Sequence, residues 1–226
     1  MISDIHSNLE AFHAIIANLP SYDHLLFLGD LVGYGPQPNE VVEELQRLRP
    51  TIALMGNHDY AVSTGDATGF SSYAETAVRW TRRQITTQNL NYLSNLPSSA
   101  KSELNRTGLA LFHGSPRDSL NEYIFPGISA QAARQLIQKG GAAIVLLGHT
   151  HMPMLYDFKG EMLANPGSVG QPRDGDQRAA FAILTLAEGK FSFEIRRVEY
   201  DINSVARKII RQGLPEFLAN RLSKGL

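Results

Sequence analysis

The sequence predicts an α/β protein with a central, mainly parallel β-sheet, and two observations carry this prediction. Short apolar strands alternate with segments of helical periodicity in the first third of the chain. The first three strands each end in a polar motif, and in an open α/β sheet the chemistry lies at the carboxyl ends of the strands. The third motif, residues 56–59, reads Gly-Asn-His-Asp, and these are also common turn residues.

The first strand is short, since only three residues precede the motif at 4–6 and strands usually run for about five or six residues. We therefore expect the natural chain to start further upstream. Residues 7–10 have the pattern of a capping box, in which the Ser7 hydroxyl and the Glu10 carboxylate satisfy free amide groups. This pattern predicts a helix with one apolar face that ends near Pro20.

The second strand, residues 24–28, is followed by a glycine and Asp30, so a carboxylate again follows an apolar run. Apolar residues at helical spacing then extend to Pro50, and the third strand, residues 51–55, leads into the motif at 56–59. The repeated order of strand, motif and helix is typical of a parallel sheet.

Residues 60–105 interrupt this order and are predicted to form a helical insertion that packs beside or over the site. A loop of small residues at 63–69 precedes a long helix at about 72–90. The arginines of this helix are better explained as a solvated helix face than as substrate contacts.

The second half of the chain returns to short strands and helices. Strands are predicted at 109–112, 142–147, 154–158, 161–164, 180–186 and 191–200, and helices at 129–138 and 203–212. Lys159-Gly160 and Glu188-Gly189 mark hairpin turns within this part. Because neither an internal repeat nor a linker composition is visible, residues 1–226 are predicted to form a single domain.

The composition excludes several classes of protein. The chain has 226 residues with 43% hydrophobic and 19% charged residues, which is typical of a globular domain. Its formal net charge of −1 predicts neither stable nucleic-acid binding nor attraction to a membrane surface. The absence of cysteine excludes disulfides and thiolate metal sites and suits a reducing compartment. No apolar run is long enough to span a bilayer, so a cytoplasmic location is expected.

The residues at the strand ends form a set of metal-ligand types without sulfur. They are Asp4, His6, Asp30, Asn57, His58, His113, His149 and His151. This set suits Mn²⁺, Fe or Zn²⁺. One such histidine alone would be interpreted as a core or loop residue, but five of the seven histidines lie in these motifs. The set is too large for one ordinary metal and large enough for two that share a carboxylate.

In chain order, the motifs resemble those of the calcineurin-like metallophosphoesterase superfamily. They are Asp4-x-His6, Gly29-Asp30, Gly56-Asn57-His58-Asp59, His113-Gly114 and Gly148-His149-Thr150-His151. The resemblance covers nearly the whole chain. Residues 3–11 and 165–173 further resemble the compact prokaryotic branch that is often labelled diadenosine-tetraphosphatase-like or phosphodiesterase-like. The resemblance implies a central β-sheet sandwich flanked by helices.

The resemblance also implies a dinuclear centre. Carried over from the family, the first metal would be held by Asp4, His6, Asp30 and His151. The second would be held by Asp30, Asn57, His113 and His149. The implied reaction is hydrolysis of a phosphodiester, phosphomonoester or phosphoanhydride bond by in-line attack of a hydroxide that the two ions share, with Mn²⁺ the preferred metal. His58 would not be a ligand but would protonate the leaving oxygen or stabilise charge on it, and Asp59 would orient His58.

Four residues are predicted to contact the substrate: Arg173, Tyr34, Tyr123 and Ser168. Arg173 follows a glycine-rich loop and has the fork geometry that binds phosphate. Tyr60 and Arg178 are weaker candidates. The expected substrate is a small phosphorylated molecule such as a nucleotide or a dinucleoside polyphosphate. The alternatives are a protein serine/threonine phosphatase and a catalytically silent protein-binding scaffold of the same fold, and the sequence leaves the oligomeric state open.

Overall fold

The computed structural model describes residues 1–187 and 190–226, and it places paired strands between layers of helices. The strands are β1 (Leu26–Phe27), β2 (Ile52–Ala53), β3 (Ser99–Leu104), β4 (Thr107–Phe112), β5 (Ile144–Leu146), β6 (Met154–Asp157), β7 (Met162–Asn165), β8 (Ala179–Ala187) and β9 (Lys190–Val198). The helices are α1 (Leu9–Asn18), α2 (Pro38–Leu48), α3 (Asn57–Thr64), α4 (Ser72–Gln84), α5 (Thr87–Ser94), α6 (Ala130–Gly140), α7 (Ile202–Arg211) and α8 (Glu216–Asn220), and a 3₁₀-helix follows at Leu222–Lys224.

The strands form three sheets, β1-β2, β3-β4-β5-β7-β6 and β8-β9, and backbone hydrogen bonds join the first and third into one layer, so that two layers of sheet result. β1 and β2 are parallel, and Ile2 adds to them through a parallel bridge with Phe27. The Ala182 amide donates to the Met1 carbonyl at 3.0 Å, which links this pair to the β8–β9 hairpin. The second sheet has the order β3-β4-β5-β7-β6, with parallel central pairs and antiparallel edges. The sheets are therefore mixed rather than mainly parallel as predicted.

An apolar cluster lies between the two sheets and makes the fold a sandwich. Leu28 and Leu54 follow the strands of the first sheet, and they pack with Leu111 and Leu146 of the second. Phe27 points to the opposite face of its strand, where it packs with α1 and α2. α6 covers the outer face of the second sheet. The predicted α/β sandwich flanked by helices is confirmed.

The parallel strands deliver the polar motifs to one edge. Asp30 follows β1, Asn57 follows β2, His113 follows β4 and His149 follows β5. Because the carboxyl ends of these strands lie together, side chains that are far apart in sequence become neighbours.

The helical insertion differs from its prediction in two ways. The predicted helix at 72–90 is two helices, and Thr86 caps the second by accepting a hydrogen bond from the Asn89 amide at 3.2 Å. In addition, residues 99–104 are strand β3 of the five-stranded sheet, so the insertion ends before Ser99.

The predicted capping box at the start of α1 is wrong. The N-cap is Asn8, whose side-chain oxygen accepts from the Ala11 amide at 3.1 Å. Glu10 instead pairs with Lys208 of α7, because the C-terminal helices pack against α1. The hairpin turn predicted at Glu188-Gly189 lies outside the described residues.

Among the helices of residues 1–187 and 190–226, none combines the length and the apolar character that crossing a bilayer requires.

Candidate metal centre

The strand-end motifs bring buried acidic and histidine side chains into two adjoining groups. In the first group each residue offers a ligand atom within 4.8 Å of the others, and its members are Asp4, His6, Asp30 and His151. The second group meets the same limit and contains Asp30, His113 and His149. Asp30 is common to both. The side-chain oxygen of Asn57 lies 3.1 Å from His113 Nε2, so all seven predicted ligands lie at this centre.

The backbone is left-handed at five of these residues: Asp4, His6, Asp30, His149 and His151 have φ between 49° and 67°. Such a conformation is uncommon outside glycine, although Asp, Asn and His adopt it more readily than other residues. Left-handed turns at both members of a pair allow residues two positions apart to aim at the same point. The strain of this backbone is concentrated where a ligand would bind.

The Nε2 atoms of His6 and His151 face one another without a hydrogen between them. His6 Nδ1 lies 3.0 Å from the Val32 carbonyl, and His151 Nδ1 lies 2.6 Å from the Gln171 carbonyl. Each Nδ1 therefore carries the hydrogen, which leaves a lone pair on each Nε2. The two Nε2 atoms are 3.1 Å apart, and two lone pairs cannot form a hydrogen bond. A cation between them removes this conflict.

Carboxylate oxygens at the same place also lack partners. Both oxygens of Asp4 and Oδ2 of Asp30 are buried and accept no hydrogen bond in the described part of the chain. A buried carboxylate without a partner is costly unless a cation is bound. The donor set of imidazole nitrogens and carboxylate oxygens therefore fits divalent metal ions.

His113 and His149 are also held by backbone carbonyls. His113 Nδ1 lies 2.8 Å from the Leu28 carbonyl, and its Nε2 lies 3.4 Å from Asp30 Oδ2. Burial disfavours the charged ring, but the Asp30 carboxylate outweighs it and raises the pKa of His113 to about 9. His149 Nε2 donates to the Asn121 carbonyl at 3.2 Å, which leaves its Nδ1 free to bind a metal. Burial, and then the charge of His113, lower the pKa of His149 to about 3.

Metal affinity is expected to rise with pH up to about 9. In the metal-free site His113 keeps a proton on Nε2 below its raised pKa of about 9, and a metal ion must displace that proton. One displaced proton weakens binding about tenfold for each pH unit below this value. Competition with a coloured chelator for Mn²⁺ between pH 7 and 10 measures the slope, and constant affinity from pH 7 to 9 would contradict the expectation.

The motif at 56–59 begins a helix rather than forming only a turn. The His58 amide at the start of α3 donates to Asp30 Oδ1 at 2.9 Å. A Cβ built at Gly56 would lie 2.0 Å from the same oxygen, so only glycine fits there. Gly56 thus allows the Asp30 side chain to approach its backbone closely.

Asp59 does not orient His58, and that prediction is wrong. The Asp59 carboxylate accepts hydrogen bonds at 2.9 to 3.1 Å from the amides of Leu31, Val32 and Gly56. The carboxylate is thus bonded to backbone amides, and His58 Nδ1 has no hydrogen-bond partner in the described residues. Asp59 therefore ties the loop that carries Asp30 to the start of α3.

His58 lies beside the ligand groups but belongs to neither. Its ring centroid is 4.3 Å from that of Tyr34, 4.7 Å from that of Phe70 and 4.9 Å from that of His6. Burial lowers the pKa of His58 to about 4, so the ring is neutral at neutral pH. His58 is held by packing against aromatic rings and not by an acidic partner.

A cavity of about 400 Å³ opens on the candidate metal centre. Its lining includes Asn57, His58 and His149, and its walls carry three of the predicted substrate contacts, Tyr34, Tyr123 and Arg173. The Tyr123 ring stacks on that of His149 with centroids 3.8 Å apart.

The other predicted substrate contacts lie elsewhere. Ser168 is completely buried, because its hydroxyl donates to the Asp4 carbonyl at 2.7 Å and accepts from the Gln171 amide at 2.8 Å. It supports the backbone of a ligand residue, so the prediction of substrate contact is wrong. Arg178 pairs with Asp176 away from the cavity. Tyr60 is not part of the cavity lining.

Sequence reasoning missed several residues of the cavity. Phe70 and Tyr73 come from the insertion, whose position near the site was predicted without naming side chains. Asn121 both lines the cavity and holds His149 through its backbone carbonyl. Because every residue has a backbone carbonyl, the amino-acid sequence cannot predict that Asn121 makes this contact.

The fold and the site together define an α/β sandwich with a buried cluster of histidines and aspartates at its strand ends. The model of the calcineurin-like phosphoesterase superfamily domain matches residues 1–189. The chain therefore belongs to the calcineurin-like phosphoesterase superfamily.

Individual relatives agree over the whole length of the chain. An uncharacterized protein of Methanocaldococcus jannaschii is 35% identical, and the match covers 100% of this chain and 97% of that protein. The crystal structure of a metallophosphoesterase from Sphaerobacter thermophilus is also 35% identical, with a TM-score of 0.85 over 100% of this chain and 97% of that one. A hypothetical protein from Pyrococcus horikoshii OT3 shares the fold at 20% identity, with a TM-score of 0.89 and coverage of 100% and 97%.

Proposed function

We propose that the protein is a phosphoric ester hydrolase whose site holds two divalent cations with Asp30 between them. The observation that carries this proposal is the membership of Asp30 in both ligand groups. The facing lone pairs of His6 and His151 and the unpartnered oxygens of Asp4 support a cation in the first group. The second group adds the neutral oxygen of Asn57, which binds without a further negative charge.

Two bound cations would supply Lewis-acid activation of water and neutralise the charge of the phosphate group. The sulfur-free ligands suit Mn²⁺, Fe or Zn²⁺, and we propose Mn²⁺ as the activating ion. In the reaction the oxygen of water bonds to phosphorus, the ester or anhydride oxygen departs, and that oxygen takes up a proton.

Two residues of the chain act on the substrate: one binds the phosphate and the other stabilises the departing oxygen. Arg173 lines the cavity and has buried donor groups to spare, since its Nε has no hydrogen-bond partner in the described residues. His58 lines the same cavity without being a ligand. Being neutral at neutral pH, it offers a hydrogen bond that stabilises negative charge on the leaving oxygen.

The shape of the cavity favours a small substrate. Its lining combines Phe70 and Tyr73 of the insertion with Asn121 and Tyr123 of the loop after β4. A nucleotide or dinucleoside polyphosphate fits such a walled site better than a phosphorylated segment of a folded protein. Given the net charge of −1 and the absence of cysteine, we also propose a cytoplasmic enzyme without a stable nucleic-acid or membrane partner.

Metal analysis combined with hydrolysis of an aryl phosphodiester and an aryl phosphomonoester tests the proposal. The protein loaded with Mn²⁺ is expected to hold two ions per chain and to release the aryl alcohol from at least one substrate. Removal of the metal by a chelator should stop turnover, and addition of Mn²⁺ should restore it. Bound metal with no turnover on either substrate would favour the silent scaffold.

A further inference from the structure

The loop between β7 and β8 carries Gln171, whose backbone holds a ligand of the first group. His151 Nδ1 donates a hydrogen bond to the Gln171 carbonyl at 2.6 Å. Two residues further on, the Arg173 amide donates to the His151 carbonyl at 3.3 Å. Because every residue has a backbone carbonyl, the support of His151 does not explain why a glutamine stands at position 171.

The side chain of Gln171 makes a contact of its own. It is almost completely buried, with 2% of the residue exposed, and its Oε1 accepts a hydrogen bond from Arg173 Nη2 at 2.9 Å. Pro172 favours an extended backbone at Gln171, and in an extended chain the side chains of residues two positions apart lie on the same side. The short segment 171–173 thus brings an amide oxygen and a guanidinium together.

Arg173 brings a positive charge to the cavity without an acidic partner. It lines the cavity, and its charge adds to burial in lowering the pKa of the ligand His151. No aspartate or glutamate of residues 1–187 and 190–226 forms an ion pair with Arg173. Its Nη2 contacts only the Gln171 oxygen and, at 3.3 Å, the Tyr34 hydroxyl within this part of the chain. Both partners are neutral, so the guanidinium keeps its charge for an anion.

The neutrality of Gln171 matters for the binding of an anion. A free arginine side chain loses rotamer freedom when it binds a phosphate, and an acceptor that already orders it removes part of this cost. A carboxylate at the same place would order the guanidinium equally well, but a phosphate would then have to compete with it. Glutamine provides the order without the competing charge.

We propose that Gln171 is a positioning residue, whose side-chain oxygen fixes the Arg173 guanidinium for a phosphate group while its backbone carbonyl fixes the ligand His151. Gln171 does not line the cavity, so it acts on the substrate through Arg173. The positioning role rests on the proposed function for the binding of a phosphate group at Arg173.

Calorimetry with inorganic phosphate on the full chain loaded with Mn²⁺ tests the positioning role. Gln171→Met keeps the length of the side chain but removes the acceptor, so Arg173 must be ordered when phosphate binds. The dissociation constant of phosphate should rise about threefold to tenfold, the cost of ordering one long side chain. The metal content should stay at the wild-type value, because the bond to His151 comes from the backbone.

A double-mutant cycle shows whether Gln171 acts through Arg173. Arg173→Met still presents the metal ions to phosphate, and its affinity is compared with that of Gln171→Met/Arg173→Met. The two proteins should bind phosphate equally, because Gln171 has nothing left to position once the guanidinium is gone. Gln135→Met is the matched control, since Gln135 is exposed on α6 and does not line the cavity, and it should bind phosphate as the wild type does.

Gln171→Glu separates orientation from charge. Glutamate has nearly the shape of glutamine and can form an ion pair with Arg173, so the variant should unfold at a temperature no lower than the wild type. Its carboxylate competes with phosphate, so its dissociation constant should exceed that of Gln171→Met. A merely structural role would move stability and phosphate affinity in the same direction, and that result would count against the proposal.

Unchanged phosphate binding in Gln171→Met overturns the positioning role, and so does a wild-type protein that does not bind phosphate. The same loss from Gln171→Met with and without Arg173 also overturns it. Hydrolysis of aryl phosphates is measured in parallel. A wild-type protein that hydrolyses no phosphate ester, but whose phosphate binding follows the cycle, supports the positioning role and refutes the proposed function. Hydrolysis together with phosphate binding that does not depend on Gln171 has the opposite meaning.

Discussion

Replacement of Asp30 by asparagine is expected to abolish turnover and to weaken metal binding at both groups of ligands. The substitution removes the charge of the residue that both groups share but keeps its shape. Asparagine also tolerates the φ of 57° found at this position, so the backbone is preserved. We expect a loss of at least about a thousandfold in kcat/KM, since the stabilisation supplied by both cations is lost.

Elemental analysis and the hydrolysis of an aryl phosphate measure the two parts of this prediction. Asp66→Asn is the matched control, because Asp66 lies in an exposed loop and accepts only a local hydrogen bond from the Thr68 amide. It should keep the wild-type metal content and rate. An Asp30→Asn protein with two ions per chain and normal turnover would refute the shared position of Asp30.

Replacement of His58 by alanine is expected to leave the metal content intact and to lower the rate. His58 is absent from both ligand groups but lines the cavity beside them. Loss of a group that assists the leaving oxygen should cost about a hundredfold or more on an alkyl phosphate. An aryl phosphate with a good leaving group needs little protonation, so its rate should fall much less.

The comparison of the two leaving groups is decisive for His58. His24→Ala serves as control, since His24 is an exposed residue whose Nδ1 lies 3.2 Å from the Thr51 hydroxyl. Equal losses on alkyl and aryl phosphates would indicate that His58 only shapes the cavity. Full activity of His58→Ala on the alkyl phosphate would exclude a role of His58 in stabilising the leaving oxygen.

The clustering of the acidic and histidine side chains could be predicted from the sequence because each of them sits in a short motif directly after an apolar strand. Parallel strands place such motifs at one edge, so the order along the chain was enough to bring Asp30 and His113 together. The role of Asp59 could not be predicted in this way. Two of its three partners, the amides of Leu31 and Val32, belong to a loop about 28 residues earlier, and amides are identical whatever the side chain.

Elements determined by contacts distant in sequence were also missed. Ser7 and Asn8 are both good N-cap residues, and the choice of Asn8 goes with a hydrogen bond from its side-chain amide to the Gly170 carbonyl at 2.8 Å. Ser168 was expected to reach the substrate, but it is buried because its hydroxyl donates to the Asp4 carbonyl.

The left-handed backbone at the ligands restricts which amino acids evolution can place there. A left-handed residue other than glycine costs roughly 1–2 kcal/mol, and Asp and Asn reduce this cost through local hydrogen bonds. Glutamate has the same carboxylate as aspartate, but it lacks this tolerance and its longer chain would displace the oxygen. The exclusive use of short or planar ligands at Asp4, His6, Asp30, His149 and His151 thus follows from backbone conformation as much as from metal chemistry. A descendant that lost its metals would be expected to acquire asparagine or glycine at these five positions, because both tolerate the left-handed backbone.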